Sequence, residues 1–410
     1  MNAWRGYWVF KNLVCGFLAL TFLLNIGLYA FAEPDLEEPV YDVEVVAQIV
    51  TNTNVFELKA KSHILMDAAT GQILLEGNSN EKLPIASVTK IMSLLLIMEA
   101  ISSGKISLDD TVTASEYASG MGGSQAYIEP GEQYSVRDAL KAIATHSSND
   151  VTVSLAELVA GSEQGFVVLM NEKSKELGMS NTNFQDCTGL TDDGHYSTAH
   201  DIALLSRELI LKEPEILAYT SIWIDSFRDG EFELVNTNRL VHFYDGCDGL
   251  KTGFTRAAGH CLSATAKRNN MRFISVVLGE PDSNTRFAET RKLLDYGFAN
   301  YESVGVNTGG EKVNEVMVKK GLNSKIAAVY KDDVNLLLAR GEKGKVIREV
   351  RLKESLIAPV LKGQKVGEVV YKVDEREIAK VDLVSDKDIE KASFGRLFIL
   401  LFSGWFKLGR

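Results

Sequence analysis

The sequence predicts an α+β fold in which helices surround a single antiparallel sheet, and three observations support this prediction. Residues 63–78, HILMDAATGQILLEGN, contain two apolar runs around a turn and are typical of a β-hairpin. Helical periodicity dominates from residue 87 to residue 211. Beyond Gly249 the period changes, and KTGF, HCLSATAKR and MRFISVVLGE predict three strands before a helix at roughly 284–299. We expect these strands from both ends of the helical region to meet in one sheet.

The helical region divides into four predicted segments, at 87–101, 135–160, 164–178 and 199–211. The first has Ser87 and Lys90 at the start of an apolar run. Positions three apart share a helix face, so both side chains should point the same way. The second segment is interrupted by a small polar break, HSSND, which predicts a turn between two helices.

Composition divides the chain into five predicted segments: a signal peptide at 1–32, an acidic leader at 33–54, a large α+β domain at 55–305, a small all-β domain at 306–385 and an amphipathic helix at 389–410. A basic start with Arg5 and Lys11, a long apolar stretch and the end Ala30-Phe31-Ala32 are typical of a secretory signal peptide cleaved after Ala32. An uncleaved membrane anchor is the alternative, because the apolar stretch is long. The all-β prediction rests on alternation of apolar and polar residues after Gly309-Gly310.

The C-terminal segment combines an apolar stripe with positive charge. The stripe consists of Phe394, Leu397, Phe398, Leu401, Trp405 and Leu408, at steps of three and four residues. The uninterrupted apolar run 397–402 is far shorter than the roughly 20 residues of a spanning helix. We therefore expect this helix to lie in a membrane interface, with its cations on anionic headgroups. A helix docked on the β domain or on a partner is the alternative.

The overall composition is that of an ordinary globular protein. The 410 residues are 45% hydrophobic and 24% charged, with a net charge of −11, so no nucleic-acid-binding surface is predicted. No P-loop, no G-x-G-x-x-G after a strand and no H-E-x-x-H occurs, so neither a cofactor nor a metal is expected. Cys187, Cys247 and Cys261 allow either one disulfide with one free thiol or three thiols.

Three short motifs occur in order at predicted element boundaries: Ser87-Val-Thr-Lys90, Ser147-Ser148-Asn149 and Lys251-Thr252-Gly253. Each is weak alone, and Ser87 by itself would be interpreted as a helix N-cap. The ordered trio is specific and favours nucleophilic acyl transfer instead.

The chemistry of this trio starts from a serine hydroxyl, which is a poor nucleophile until a neighbouring base removes its proton. Lys90 can be that base for Ser87 only as a neutral amine, and the nearby cation Lys251 lowers the pKa of Lys90. Ser147 can pass a proton to the leaving amine, and Asn149 can hydrogen-bond the substrate amide and Lys90.

The strand motif suits a substrate that ends in a free carboxylate. Lys251 and Thr252 can bind that carboxylate, and Gly253 allows substrate backbone to approach the strand. The backbone N–H groups of Ser87 and Phe254 can form an oxyanion hole.

The trio is shared with class A β-lactamases and penicillin-binding proteins. The segments LPIASVTKIM, LGMSNTNFQDCTGL, HYSTAHDIALLSREL, NTNRL and DGLKTGFTRAAGHCLSATA resemble D-alanyl-D-alanine carboxypeptidases of the low-molecular-mass penicillin-binding proteins. APVLKGQKVGEVV resembles the β domain that follows the catalytic domain in that family.

The resemblance implies a β-lactamase/transpeptidase-like fold and an exported, penicillin-binding enzyme of cell-wall metabolism that lies peripherally on the outer face of the cytoplasmic membrane. It implies that the penultimate D-alanine of a peptidoglycan stem peptide acylates Ser87, that terminal D-alanine leaves and that water hydrolyses the ester. β-Lactam antibiotics would acylate the same serine. The family's carboxylate-binding arginine falls on Arg286 in SNTRFAET. His260 departs from the family, which often has an aromatic residue there.

Three rival functions follow from the same residues. A β-lactamase would need a Glu-x-x-Leu-Asn segment between the second and third motifs, and none occurs. An endopeptidase or transpeptidase differs only in the bond cleaved or the acceptor. A non-catalytic peptidoglycan-binding protein is disfavoured by the intact trio. His195, His200, Cys261 and Asp248 are expected to have structural roles.

Overall fold

The computed structural model describes residues 57–191, 193–393 and 395. The helices α1 to α9 are Lys90–Ser102, Glu116–Ser119, Val136–Lys141, Asn149–Ala160, Glu163–Glu176, Ala199–Lys212, Leu217–Thr220, Leu240–Phe243 and Ser283–Asn300. The strands β1 to β9 are Ser62–Asp67, Ile73–Gly77, Thr111–Thr113, Gln133–Ser135, Ile224–Phe227, Phe232–Val235, Cys247–Thr255, Gly259–Arg268 and Met271–Glu280. The strands β10 to β17 are Tyr301–Asn307, Lys312–Lys319, Lys325–Tyr330, Val334–Ala339, Val346–Leu352, Ser355–Ile357, Lys365–Val373 and Arg376–Ser385.

The predicted sheet is confirmed. It has five strands in the order β2-β1-β9-β8-β7, so the N-terminal hairpin pairs with the last strand of the C-terminal group. All its pairings are antiparallel, and Lys251 of β7 lies opposite Ser263 of β8. The third motif therefore lies on an edge strand of this sheet. It does not begin the strand as predicted, because pairing already starts at Cys247.

Both faces of the sheet are covered by helices. Ile64 and Val276 belong to the larger apolar cluster, which includes the whole buried part of α1. The next residues along each strand, Leu65 and Val277, belong to the cluster with α9. Successive side chains of a strand point to opposite faces, so both sets of residues are buried.

Helix α1 is buried on every side: each residue from Lys90 to Met98 is buried. A helix that is apolar all round belongs in the core of a domain. The short turn before it, Ala86–Thr89, packs against β7, which brings the first motif beside the third.

The C-terminal all-β prediction is confirmed by a six-stranded sheet in the order β14-β16-β17-β12-β11-β15 with its own apolar core. The predicted tail helix was expected from residue 389, but Ile389 and Lys391 form β-bridges with Val360 and Gly321. Residues 394 and 396–410 of that predicted helix, the signal peptide and the leader lie outside the described residues.

Two short antiparallel strand pairs were not predicted, β3 with β4 and β5 with β6, because strands of three or four residues carry too little periodicity. Within the described ranges no single helix is long and apolar enough to cross a membrane. The pair α4 and α5, bent by 80°, passes that test of length and composition together.

Candidate active site

The three motifs meet at one cavity of about 600 Å³. Its lining includes Ser87, Ser147, Asn149, Thr252, Gly253, Phe254 and Arg286. Lys90 and Lys251 lie behind this lining and are buried. The structure thus brings together all the residues that the sequence predicted for the site.

Ser87 is presented by a single 3-10 turn, Ala86–Thr89, that precedes α1. The N-cap alternative is wrong, since Ile85 caps this turn and Thr89 precedes α1. Ala86 adopts a φ of 47°, which is uncommon for a residue with a Cβ and is typical of strained functional turns.

Gly253 is required by the protein's own backbone. A Cβ at this position would lie 2.7 Å from the Ile85 carbonyl oxygen and 3.0 Å from the Ser87 nitrogen. Close approach of substrate was the predicted reason, whereas the structure shows that β7 itself packs against the Ser87 turn. This contact holds the backbone N–H of Ser87 beside β7.

Lys90 is fully buried, and its Nζ donates three hydrogen bonds. The acceptors are Ser87 Oγ at 2.9 Å, Asn149 Oδ1 at 2.6 Å and the Thr188 carbonyl oxygen at 2.9 Å. Burial lowers the pKa of Lys90 to about 8, against the opposing effects of Cys187, Asp186 and Asp150. A neutral amine can keep the bonds to Asn149 and Thr188 and turn its lone pair toward Ser87.

Lys251 is the second buried cation of the site. Its Nζ donates to the Thr252 carbonyl oxygen at 3.1 Å. Burial lowers the pKa of Lys251 well below its usual value, and Lys90 and Arg286 lower it further. Ser147 adopts a left-handed φ of 67° after a π-helical turn, and its buried Oγ meets no hydrogen-bond partner among the described residues. The hydroxyl is therefore free to exchange a proton with a ligand.

The acceptor Thr188 belongs to a loop organised by Asp186. The Asp186 carboxylate accepts hydrogen bonds from the backbone N–H groups of Thr188, Gly189 and Thr191 at 2.6 to 2.8 Å. Burial opposes ionisation, but His195 and the backbone donors outweigh it and lower the pKa of Asp186 to about 2. His195 Nε2 lies 2.7 Å from Thr89 Oγ1, which confirms a structural role for this histidine.

Arg286 closes the other end of the cavity. It lies in the first turn of α9 and is only 6% exposed. Its Nη1 donates to the carbonyl oxygens of Gly253 at 3.3 Å and Cys261 at 3.4 Å. Burial lowers the pKa of Arg286 to about 10, so it stays charged at neutral pH. No carboxylate pairs with it among the described residues.

His260 replaces the expected aromatic residue without loss of ring packing. Its ring stacks on Phe254, with centroids 4.4 Å apart, in the wall next to Arg286. Burial and the charge of Arg286 lower the pKa of His260, so its ring is neutral at neutral pH.

The sequence interpretation missed several residues that line the cavity. Thr237 accepts a hydrogen bond from Thr252 Oγ1 at 2.8 Å, and Arg239 and Trp223 complete the same side. Two of them belong to the segment NTNRL, whose resemblance to a family was noted without a role for its residues. The segment NTNRL was therefore the sequence signal from which Thr237 and Arg239 could have been predicted to line the site.

The remaining structural predictions are confirmed. All three described cysteines are buried free thiols. Asp248 forms two 2.7 Å contacts with Arg272 and organises the start of β7. His200 lies 3.4 Å from the Asp201 carboxylate at the start of α6.

Comparisons with known proteins give consistent matches. The family model "D-alanyl-D-alanine carboxypeptidase" matches residues 48–282, and the model "Penicillin-binding protein 5, C-terminal domain" matches residues 301–391. The chain is 44% identical to D-alanyl-D-alanine carboxypeptidase DacF of Bacillus subtilis, over 85% of this chain and 90% of that protein. It is 37% identical to DacC of Escherichia coli, over 85% and 89%. The structure is similar to penicillin-binding protein 5 of Haemophilus influenzae, with a TM-score of 0.73, 34% identity, and 82% and 99% coverage.

Proposed function

Because the chain belongs to the D-alanyl-D-alanine carboxypeptidase family, we propose that it removes the terminal D-alanine from peptidoglycan stem pentapeptides through an ester on Ser87. The chain is a serine-type hydrolase with the fold of penicillin-binding proteins. This family acts on peptidoglycan peptides and binds β-lactams.

Acylation begins with Lys90. In its neutral form the amine accepts the Ser87 proton over 2.9 Å, while the Ser87 oxygen attacks the carbonyl carbon of the penultimate D-alanine. The bonds to Asn149 and Thr188 fix the direction of the amine during this transfer. The resulting Lys90 ammonium can then donate to Ser87, Asn149 and Thr188, as in the structure.

The negative charge of the tetrahedral intermediate falls on the former carbonyl oxygen. The backbone N–H groups of Ser87 and Phe254 serve as its donors, since β7 packs against the Ser87 turn at Gly253. When the C–N bond breaks, the leaving D-alanine nitrogen receives a proton from Ser147, whose hydroxyl has no competing partner among the described residues. Ser147 in turn regains a proton from the Lys90 ammonium, so Lys90 is neutral again. Water then hydrolyses the ester with Lys90 as the base, and the proton taken from water returns to Ser87.

The terminal carboxylate of the substrate binds between Thr252 and the two cations Lys251 and Arg286. Arg286 supports this assignment because it is buried, charged and without a carboxylate partner in the described chain. A buried guanidinium without an anion is unfavourable unless a ligand supplies one.

One observation carries the proposal: a buried lysine amine lies 2.9 Å from the hydroxyl of a serine that lines a cavity. The test measures D-alanine released from a defined pentapeptide by the natural protein and by Ser87→Ala. The natural protein should release one D-alanine per peptide, and the variant should release none while keeping its melting temperature. Release by Ser87→Ala at the natural rate would contradict the proposal.

We further propose that the protein is exported and lies on the outer face of the cytoplasmic membrane. This rests on the sequence of residues 1–32 and on the apolar stripe and cations of residues 394–410. Truncation to test the tail belongs after Ser393, because Ile389 and Ala392 hydrogen-bond to the β domain. The truncated mature protein should no longer sediment with anionic vesicles, and it should keep its rate on soluble peptide. Continued sedimentation would place the anchor elsewhere.

A further inference from the structure

Two buried carboxyl groups lie behind Arg286. Glu280 is the last residue of β9 and is 1% exposed, and Glu289 is 3% exposed and lies one turn after Arg286 on α9. Glu289 accepts the backbone N–H groups of Lys59 at 2.9 Å and Ala60 at 3.2 Å. Both side-chain oxygens of Glu280 are buried and meet no donor among the described residues. An ionised carboxylate is costly in such a place, so Glu280 needs a proton.

The surroundings explain how that proton is held. Burial and the nearby Glu289 carboxyl group raise the pKa of Glu280 to about 8. Glu289 already accepts two backbone N–H groups, so of the two carboxyl groups Glu280 is the one that carries the proton. The charged or titratable groups that face Glu280 are Glu289 and Arg286 on α9, Asp282 before α9, Lys59 before β1, and His260 and Cys261 on β8, with Lys61 packed against the neighbouring Gly279.

Glu280 pairs with a residue of the cavity wall. It lies opposite His260 in the register of β8 and β9, and His260 lines the cavity next to Arg286. The charge of Glu280 acts on Arg286, together with those of Cys261 and Arg239. Of the carboxyl groups near Arg286, Glu280 is the one that is buried with it and lacks donors of its own.

We propose that Glu280 is a positioning residue for substrate binding: as a buried carboxyl group without donors in the described chain it stays neutral and leaves Arg286 without an internal anion, so that the guanidinium binds the substrate carboxylate. Once Glu280 loses its proton, its carboxylate competes with the substrate for the charge of Arg286. The inference rests on the proposed role of Arg286. It predicts that affinity for the carboxylate falls when Glu280 ionises, without a matching change in the chemical step.

The test compares full-length natural protein, Glu280→Gln and Glu289→Gln. KM and kcat for D-alanine release are measured from about pH 6 to about pH 9.5, which brackets the pKa of about 8. In the natural protein KM should rise roughly tenfold as pH increases through this pKa, the size expected when a charge-assisted hydrogen bond meets a competing anion. Glu280→Gln cannot ionise and should lose this part of the rise. Glu289→Gln removes the neighbouring carboxylate and supplies an amide donor, so the rise should move to lower pH.

The two variants therefore differ in opposite ways from the natural protein: near pH 8 KM should be lower in Glu280→Gln and higher in Glu289→Gln. A merely structural role of these residues would lower the melting temperature of both variants without changing KM in opposite directions. Lys251 is present in all three proteins, so its own titration cancels in the comparison. If the natural protein releases D-alanine and Arg286→Ala raises KM, but the KM profiles of the natural protein, Glu280→Gln and Glu289→Gln overlap, the inference about Glu280 is wrong and the proposed function stands. Absence of D-alanine release from the natural protein would instead contradict the proposed function. A normal KM in Arg286→Ala would also overturn the inference, because Glu280 acts through Arg286.

Discussion

Raising the pH should accelerate acylation of Ser87 with a midpoint at the pKa of Lys90. With that pKa at about 8, about one Lys90 amine in ten is neutral at pH 7. A lysine with its ordinary pKa of about 10.5 would be neutral in only about one molecule in 3,000. Burial therefore increases the reactive fraction about 300-fold, and the rate should rise about tenfold between pH 7 and pH 9 before it levels off.

The assay follows formation of the acyl-enzyme with a saturating β-lactam by quenched flow and intact-protein mass spectrometry. Saturation removes the contribution of carboxylate binding, so the rate constant reports proton transfer from Ser87. Lys90→Arg gives the matched control, because its guanidinium keeps the charge but cannot lose a proton. It should acylate about 10²- to 10⁴-fold more slowly. A flat pH profile in the natural protein, or near-natural acylation by Lys90→Arg, would show that another group takes the proton.

Three further predictions concern the surroundings of Ser87. Gly253→Ala should lower the acylation rate by about 10²-fold or more, because the added Cβ would push the Ser87 turn away from β7. An unchanged rate constant would contradict that packing. Asp186→Ala should lower the free energy of unfolding in urea by roughly 2 to 4 kcal/mol, because several backbone N–H groups lose their acceptor. It should also slow acylation, because the Thr188 carbonyl that holds Lys90 belongs to the same loop. Unchanged stability would refute this prediction. Arg286→Ala should raise KM for the pentapeptide roughly 10- to 100-fold, as expected for a hydrogen bond to a charged group. A pentapeptide amidated at its C-terminus should then be an equally poor substrate for the natural protein and for Arg286→Ala. If the natural protein cleaved this amide better than Arg286→Ala does, Arg286 would not act by recognising the carboxylate.

The pH dependence of folding follows from the Glu280 pair as well. The folded state holds the Glu280 proton more tightly than the unfolded chain, whose glutamate pKa is about 4.5. Between about pH 4.5 and pH 8 the folded protein therefore binds more protons, and stability should fall as the pH rises. The melting temperature of the natural protein should fall relative to that of Glu280→Gln as the pH rises across this window, because the amide cannot lose a proton. Parallel curves would contradict the buried proton.

Much of the site could be predicted from the sequence because its residues carry their own local signals. Ser87 and Lys90 are three residues apart at the start of an apolar run, so a helix turn alone brings them together. Lys251 and Gly253 belong to a segment with the pattern of a strand, and the ordered trio predicted acyl transfer. The sheet followed in the same way, since the hairpin at 63–78 and the strands after Gly249 have clear periods.

The remaining features depend on contacts between distant parts of the chain. Thr188 becomes an acceptor for Lys90 only because a loop almost a hundred residues later folds around Asp186, at a sequence separation of 98. Glu280 is the last residue of a strand, and neither its neighbours in sequence nor its type shows that Glu289 will lie beside it. The reason for Gly253 was likewise invisible, because the clash is with Ile85 and Ser87 of another element. The predicted tail helix started too early, since Ile389 and Lys391 find strand partners in the β domain.

Peptide mapping of the acylated protein determines whether Ser87 becomes the ester. The protein is incubated with benzylpenicillin, quenched in acid and digested with trypsin, which releases residues 83–90 as one peptide that contains Ser87 and Thr89. The account predicts that the penicilloyl mass lies on this peptide, that fragmentation places it on Ser87, and that Ser87→Ala shows no adduct. An adduct on any other residue, or full labelling of Ser87→Ala, would contradict the account.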